Sequence, residues 1–164
     1  MTKFRLPLAL ITATAVAALT ATVALGGGAR IVPFKATFKG TATTKVTGSR
    51  VDITARATGT GPLIGVSRLT GVGVGTKSGD AACVPFTGPG TIVTAKRTTI
   101  KFTVAPSSTG CGSSDNNTVT VTGTAKVTGG TGTYRLARGT WTFSGYYDRG
   151  TGAFTVTFSG SMRV

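Results

Sequence analysis

Few side chains in this sequence of 164 residues could carry out acid–base or metal chemistry. Histidine and glutamate are both absent, which leaves four aspartates, three tyrosines and two cysteines. Without histidine, neither a Ser-His-Asp triad nor a histidine-ligated metal can be built, so we predict no metal and no cofactor. General acid–base catalysis would depend on aspartate or tyrosine, and we assign no catalytic residue.

The four aspartates occupy positions that favour solvated or turn-capping carboxylates. Asp52 has the outward parity of its strand, and Asp80 and Asp115 lie in loops rich in glycine and serine. Asp148 opens a tight turn, where a carboxylate commonly accepts backbone N–H groups. These positions favour a protein that is not an enzyme, although the sequence leaves that question open.

The amino terminus resembles an export signal. Lys3 and Arg5 precede an uncharged run, residues 6–25, and small residues continue to Ala29. This order predicts a signal peptide over residues 1–29, a single domain over residues 30–164 and a secreted product. The alternative is an uncleaved membrane anchor, because 20 residues can span a bilayer.

Cys83 and Cys111 are the two cysteines, and both follow the export segment. An exported pair predicts a disulfide. Two thiols without histidine cannot complete a zinc site, and a catalytic thiol would lack its basic partner.

The rest of the chain predicts an all-β fold. Threonine is abundant and there are 25 glycines; threonine favours strands, whereas glycine serves turns and bulges. Eight runs alternate with a period of two residues, as strands do. They are 34–44, 50–58, 63–76, 91–96, 98–104 and 118–128, followed by the runs that carry Trp141 and Phe154. We predict a single eight-stranded antiparallel barrel, with a β-sandwich as the alternative.

The glycine-rich turn before the last two strands carries a family resemblance. The segment GGTGTYRLARG, residues 129–139, resembles the pattern near the end of the barrel in dirigent proteins and in bacterial secreted barrels like allene oxide cyclase. Its matching residues are Gly129, Gly130, Thr131, Gly132, Tyr134, Arg135, Ala137, Arg138 and Gly139. The resemblance implies a barrel that binds a small ligand: dirigent proteins steer the coupling of phenoxy radicals, and allene oxide cyclases close a ring in a fatty-acid epoxide.

Alternating aromatic residues in the last two strands are the candidate ligand-binding residues. They are Trp141, Phe143 and Tyr147 in one strand and Phe154 and Phe158 in the next. Such a stripe lines a cavity or simply fills a core, and the sequence leaves both open. Arg68 would anchor an anion if its side chain pointed into the barrel. If the glycines of the same strand face inward instead, Arg68 lies on the outside and is solvated. The turn at residues 129–132 is either an anion-binding nest or a structural turn.

The charge suggests possible partners. The formal net charge is +14, and the cations are spread over outward positions and turns rather than clustered with stacking aromatics. We therefore predict no specific nucleic acid partner but adsorption to anionic polymers of the cell envelope. The leading prediction is a secreted, non-catalytic barrel that binds a small apolar or aromatic ligand. The alternatives are a cofactor-free cyclase or isomerase and a cationic envelope-binding or structural protein; the sequence does not indicate an oligomeric state.

Overall fold

The eight strands of the protein form one antiparallel sheet that closes on itself. The structure, a computed structural model, describes residues 28–113 and 117–164. In chain order the strands are β1 (Ile31–Thr47), β2 (Arg50–Gly61), β3 (Gly65–Thr76), β4 (Cys83–Val93), β5 (Thr99–Gly112), β6 (Thr118–Gly130), β7 (Arg138–Asp148) and β8 (Ala153–Arg163). β1 pairs with both β2 and β8, so the barrel closes within Ile31–Arg163. The predicted barrel is confirmed; most of the predicted signal peptide, residues 1–27, and Asp115 lie outside the described residues.

The up-and-down order gives the barrel two distinct ends. The β2–β3, β4–β5 and β6–β7 connections lie at one end together with the start of β1 and the end of β8; we call this the closed end. The β1–β2, β3–β4 and β7–β8 connections lie at the opposite, open end. Alternate residues face the interior, as on β1, where Val32, Phe34, Ala36 and Phe38 are buried between more exposed neighbours.

Large side chains fill the half of the barrel next to the closed end. Trp141 is fully buried there against the rings of Phe34, Phe102 and Phe158. Other buried side chains complete this core, among them Ile92, Ile100, Val127 and Met162. Two loops, the β2–β3 and β6–β7 connections, then cover it with Ile64, Tyr134 and Ala137, which are buried as well.

Two of the predicted strand positions are wrong. The fourth strand is Cys83–Val93 rather than 91–96, because residues 94–98 form the turn into β5. Pro85, Gly88 and Pro89 look like turn residues, but they lie within the strand, next to a bulge between Phe86 and Gly88. β5 also continues to Gly112, through residues whose polar composition predicts a loop. Its register shifts against β6 between Val104 and Thr109, so extra residues are accommodated as a bulge.

The predicted disulfide is confirmed. Cys83 and Cys111 face each other directly across the β4–β5 pair and are bonded, with an S–S distance of 2.06 Å. Both lie near the open end, where β4 begins and β5 ends. The bond therefore ties together the two strand ends that border the opening of the barrel.

Candidate functional site

The half of the barrel next to the open end is hollow. A cavity of about 990 Å³ opens there. Its wall is mainly apolar and combines valines, aromatic rings and glycines from all eight strands. The apolar side chains in the wall include Ala42, Val46, Val51, Ile53, Val84, Phe86, Val104, Val119, Val121 and Val156. A space of this size and chemistry suits one small apolar molecule.

Glycines on three neighbouring strands create the space. Gly71 and Gly73 of β3, Gly88 and Gly90 of β4, and Gly110 and Gly112 of β5 all line the cavity. Gly71 shows the effect most clearly, because a Cβ atom built on it would have only the Pro89 carbonyl oxygen within 4 Å, at 3.7 Å. The cavity therefore lies where side chains are missing from the inward face of β3, β4 and β5.

Polar groups are concentrated at the mouth of the cavity. Lys77 and Asp80, in the β3–β4 connection, and Arg149, after β7, line the opening and are exposed. The phenol-bearing side chain of Tyr147 stands further in and is half-buried. A ligand would thus meet charge at the entrance and apolar wall beyond it.

Two further aspartates have the local roles that their positions predict. The Asp52 carboxylate lies 2.8 Å from Nε of Arg50 on the outer surface of β2. The Asp148 carboxylate accepts the backbone N–H of Thr151 at 2.9 Å and so caps the β7–β8 turn. Asp80 is consequently the aspartate that the described residues bring to the cavity.

The aromatic residues predicted to bind a ligand divide between the two halves of the barrel. Phe143, Tyr147, Phe154 and Phe158 line the cavity. Trp141 is instead fully buried in the filled half and does not line the cavity. Its Nε1 is the one buried side-chain polar atom without a hydrogen-bond partner among the described residues.

Arg68 lies on the outer wall. Alternation on β3 directs Ser67, Leu69 and Gly71 inward, so the Arg68 side chain is exposed on the opposite face. There it borders a shallow depression of about 690 Å³ on the outside of β1–β4, together with Lys39 and Arg56. Arg68 therefore points into solvent and does not line the interior cavity.

The turn with the family resemblance is a structural plug at the closed end. Gly129 and Gly132 have positive φ angles, 132° and 57°, that favour glycine. The 3₁₀ turn Gly132–Tyr134 places Tyr134 over the core, where its hydroxyl donates to the Leu63 carbonyl at 3.3 Å. Burial raises the pKa of the Tyr134 phenol. The turn lies at the opposite end of the barrel from the cavity mouth.

Two other kinds of site are not seen among the described residues. Over residues 28–113 and 117–164, no group of three or more aspartate or cysteine side chains could hold a metal ion. In the same ranges, no helix is long and apolar enough to cross a membrane.

The cavity wall contains residues that the sequence analysis did not single out. Phe86 and the inward glycines of β4 and β5 are the main examples. The sequence does contain a signal for these residues. In an up-and-down barrel the end of β3, the start of β4 and the end of β5 must lie at the same end of the barrel. Glycines occur in all three places, so the register could have predicted a hollow end.

Comparisons with known proteins support the fold. No protein-family model matches the chain, and no curated protein matches it. Among solved structures, the chain is similar to the pterocarpan synthase dirigent protein PsPTS1, with a TM-score of 0.51 and 13% sequence identity. The likeness covers 82% of this chain and 95% of that chain. The fold is therefore dirigent-like, and an identity this low shows the fold alone.

Proposed function

We propose that the protein is an exported, dirigent-like barrel that holds one small apolar or aromatic ligand in its hollow half without transforming it. The observation that carries this proposal is the cavity of about 990 Å³ walled by valines, phenylalanines and glycines. Natural ligand pockets have volumes of roughly 300–1,000 Å³ and mostly apolar linings. Burial of apolar surface would supply the affinity, so binding should be nearly independent of salt.

Titration with a neutral aromatic probe, N-phenyl-1-naphthylamine, tests the proposal. We expect saturable binding at one probe per barrel, with a dissociation constant on the order of 10 µM for a probe of this size. Gly71→Leu should abolish binding, because its side chain would extend into the cavity without a close neighbour. Val66→Leu on the same strand is the matched control, since Val66 is 71% exposed on the outer face and does not line the cavity. Binding that does not saturate, or that survives Gly71→Leu, would contradict the proposal.

Export is supported by the bonded cysteine pair. Cys83 and Cys111 form a disulfide, and such bonds persist mainly in oxidising compartments. Fractionation of cells that produce the full chain should find the disulfide-bonded barrel outside the cytoplasm. Recovery of the protein in the cytoplasm with reduced cysteines would contradict export.

The polar groups at the mouth favour a second candidate, a cofactor-free cyclase or isomerase. Asp80 is the carboxylate that could exchange a proton there, and Tyr147 is the phenol in the wall. An unsaturated fatty-acid epoxide, the substrate type that the resemblance implies, provides the assay: chiral chromatography would detect a cyclised product. Asp80→Asn and Tyr147→Phe should then lower turnover but leave binding of the neutral probe unchanged. Turnover equal to that of the wild type in both variants would remove these two residues from the mechanism.

A further inference from the structure

The charges of the barrel are distributed unequally between its two ends. Exposed cations that pair with no carboxylate among the described residues surround the closed end: Arg30, Lys96, Arg97, Arg135, Arg138 and Arg163. The three aspartates that the structure describes, Asp52, Asp80 and Asp148, all lie towards the open end. The closed end is therefore a strongly positive surface, whereas cations and carboxylates are mixed at the open end.

Apolar side chains project from the same positive surface. Leu136 is 71% exposed at the tip of the β6–β7 connection, between Arg135 and Arg138. Ile31, at the start of β1, is 72% exposed, and Leu63 in the β2–β3 connection is also exposed. Leucine and isoleucine next to arginine form the pattern of surfaces that insert shallowly into the interfacial region of a bilayer.

The closed end is held rigid by contacts among its loops. The Ala137 N–H donates to the Tyr134 carbonyl at 3.0 Å, and both residues are buried, so Leu136 between them is turned outward. The Ala95 N–H donates to the Ile64 carbonyl at 3.1 Å and joins the β4–β5 loop to the β2–β3 loop. The exposed leucines are thus presented by a preformed surface, which lowers the entropy lost on binding.

The chain itself enters the barrel at this end. The Arg30 N–H donates to the Val164 carbonyl at 3.0 Å, which fixes residue 30 beside the end of β8. Leu25, the last residue of the uncharged run, precedes Arg30 by five positions, a distance of at most about 18 Å in extended chain. An uncleaved run in a membrane would therefore bring the closed end, and not the cavity mouth, to the lipid surface.

We infer that the closed end of the barrel docks on the surface of an anionic lipid bilayer, with the cavity mouth facing away from it. The arginines and lysine would contact lipid phosphates, and Leu136 and Ile31 would enter the interfacial region. Each cation near an anionic membrane strengthens binding by roughly 5-fold, an effect that falls with ionic strength. Docking would be independent of the ligand cavity and of whether the amino-terminal run is cleaved.

Vesicle co-flotation measures the lipid dependence. The barrel of residues 28–164, whose strands close without residues 1–27, should bind vesicles of phosphatidylglycerol at about 50 mM salt. It should bind much less at about 200 mM salt and not bind phosphatidylcholine. Equal binding to both lipids, or none to either, would overturn the inference.

Two matched triple variants locate the surface. Lys96→Gln, Arg135→Gln and Arg163→Gln together remove three closed-end cations and should weaken vesicle binding by roughly 100-fold. Lys39→Gln, Arg56→Gln and Arg68→Gln remove three exposed cations from the side wall and should weaken it by less than about 5-fold. An equal loss in both variants would show adsorption through net charge alone and would overturn docking by the closed end.

A reporter indole distinguishes lipid from other anionic partners. In Leu136→Trp, emission should shift to the blue on phosphatidylglycerol vesicles, because the new indole enters the interfacial region; in Tyr146→Trp, on the side wall, it should not. Soluble polyphosphate supplies phosphates without an apolar phase and should shift neither. A shift of the Leu136→Trp emission with polyphosphate, or no shift with vesicles, would contradict lipid insertion. Neither reporter position lines the interior of the barrel, so failure here would leave the ligand proposal unaffected.

Discussion

The indole of Trp141 stacks on the ring of Phe34, with centroids 3.9 Å apart and planes inclined by 10°. Trp141 lies on β7 and Phe34 on β1, and both are paired with Gly160 of the intervening β8, so the two rings meet over this glycine on the inner face of the sheet. Phe102 of β5 and Phe158 of β8 complete the cluster. This aromatic layer separates the filled half of the barrel from the hollow one, since Phe102 and Phe158 also line the cavity.

Substitution of Trp141 should therefore affect stability rather than ligand binding. We expect Trp141→Ala to lower the free energy of unfolding by about 3–5 kcal/mol. Trp141→Phe should cost less than about 2 kcal/mol, because it keeps a ring on Phe34 and removes an N–H that has no partner. Urea unfolding followed by far-ultraviolet circular dichroism measures both values. Tyr146→Ala, on the outer wall, is the control; loss of probe binding by folded Trp141→Phe would contradict this assignment.

Two inward glycines of the cavity should respond differently to alanine. A Cβ atom on Gly90 would overlap the ring of Phe102, which is held by Trp141 and Phe158. We therefore expect Gly90→Ala to destabilise the barrel by about 1–3 kcal/mol and Gly71→Ala to be nearly neutral. Thermal unfolding of both variants tests this difference. Phe102→Leu should offset part of the Gly90→Ala loss in a double-mutant cycle; additive losses would show that the ring is not the obstacle.

The strand pattern of the barrel could be predicted where one face is apolar and the other is polar. β1, with Phe34, Ala36 and Phe38 alternating against charged and hydroxyl side chains, is such a strand. The bounds of β4 and of the second half of β5 could not be predicted, because glycines interrupt their inward apolar positions (Gly88 and Gly90, Gly110 and Gly112) and their outward residues include proline or serine. In these strands the apolar signal is weak since the interior is hollow there.

The division of the aromatic stripe could not be predicted from β7 alone. Trp141 and Phe143 have the same parity and differ by one inward position, yet only Phe143 lines the cavity. What separates them is the cross-strand register, which pairs Trp141 with the small residues Ala125 and Gly160. The rings of Phe34 and Phe102 on other strands then pack against Trp141 and fill this level of the barrel. The exposure of Leu136 could not be predicted for another reason. A single leucine in a turn belongs to no alternating pattern, so the sequence does not indicate which way its side chain points.

The Tyr134 phenol should make the barrel less stable at high pH. Burial raises its pKa in the folded protein above the value of about 10 expected when unfolded. The folded state thus holds the phenol proton more strongly than the unfolded state does. The stability that Tyr134 contributes is complete below pH 10 and is lost as the pH rises through the folded pKa. Tyr134→Phe should be less stable by about 1 kcal/mol at pH 7, because the Leu63 carbonyl loses its donor.

This difference between wild type and Tyr134→Phe should narrow above pH 10, since phenylalanine has no proton to lose. Urea unfolding at a series of pH values measures the change. Tyr146→Phe provides the matched control, because Tyr146 is 54% exposed on the outer wall. A constant difference between wild type and Tyr134→Phe from pH 7 to pH 11 would contradict the burial effect.

The disulfide should be a main source of stability at the open end. Cys83 and Cys111 are 28 positions apart in sequence, and closing such a loop in the unfolded chain is worth roughly 3.5 kcal/mol by loop entropy. The double variant Cys83→Ser and Cys111→Ser should therefore unfold at lower urea concentration by a corresponding amount. Wild type measured with a thiol reductant should resemble the variant, and without reductant, thiol titration of the unfolded chain should find no free thiol. Because the bond borders the cavity mouth, the variant should also bind the neutral probe more weakly while still folded. Unchanged stability on reduction would show that the β4–β5 pairing alone holds this end of the barrel together.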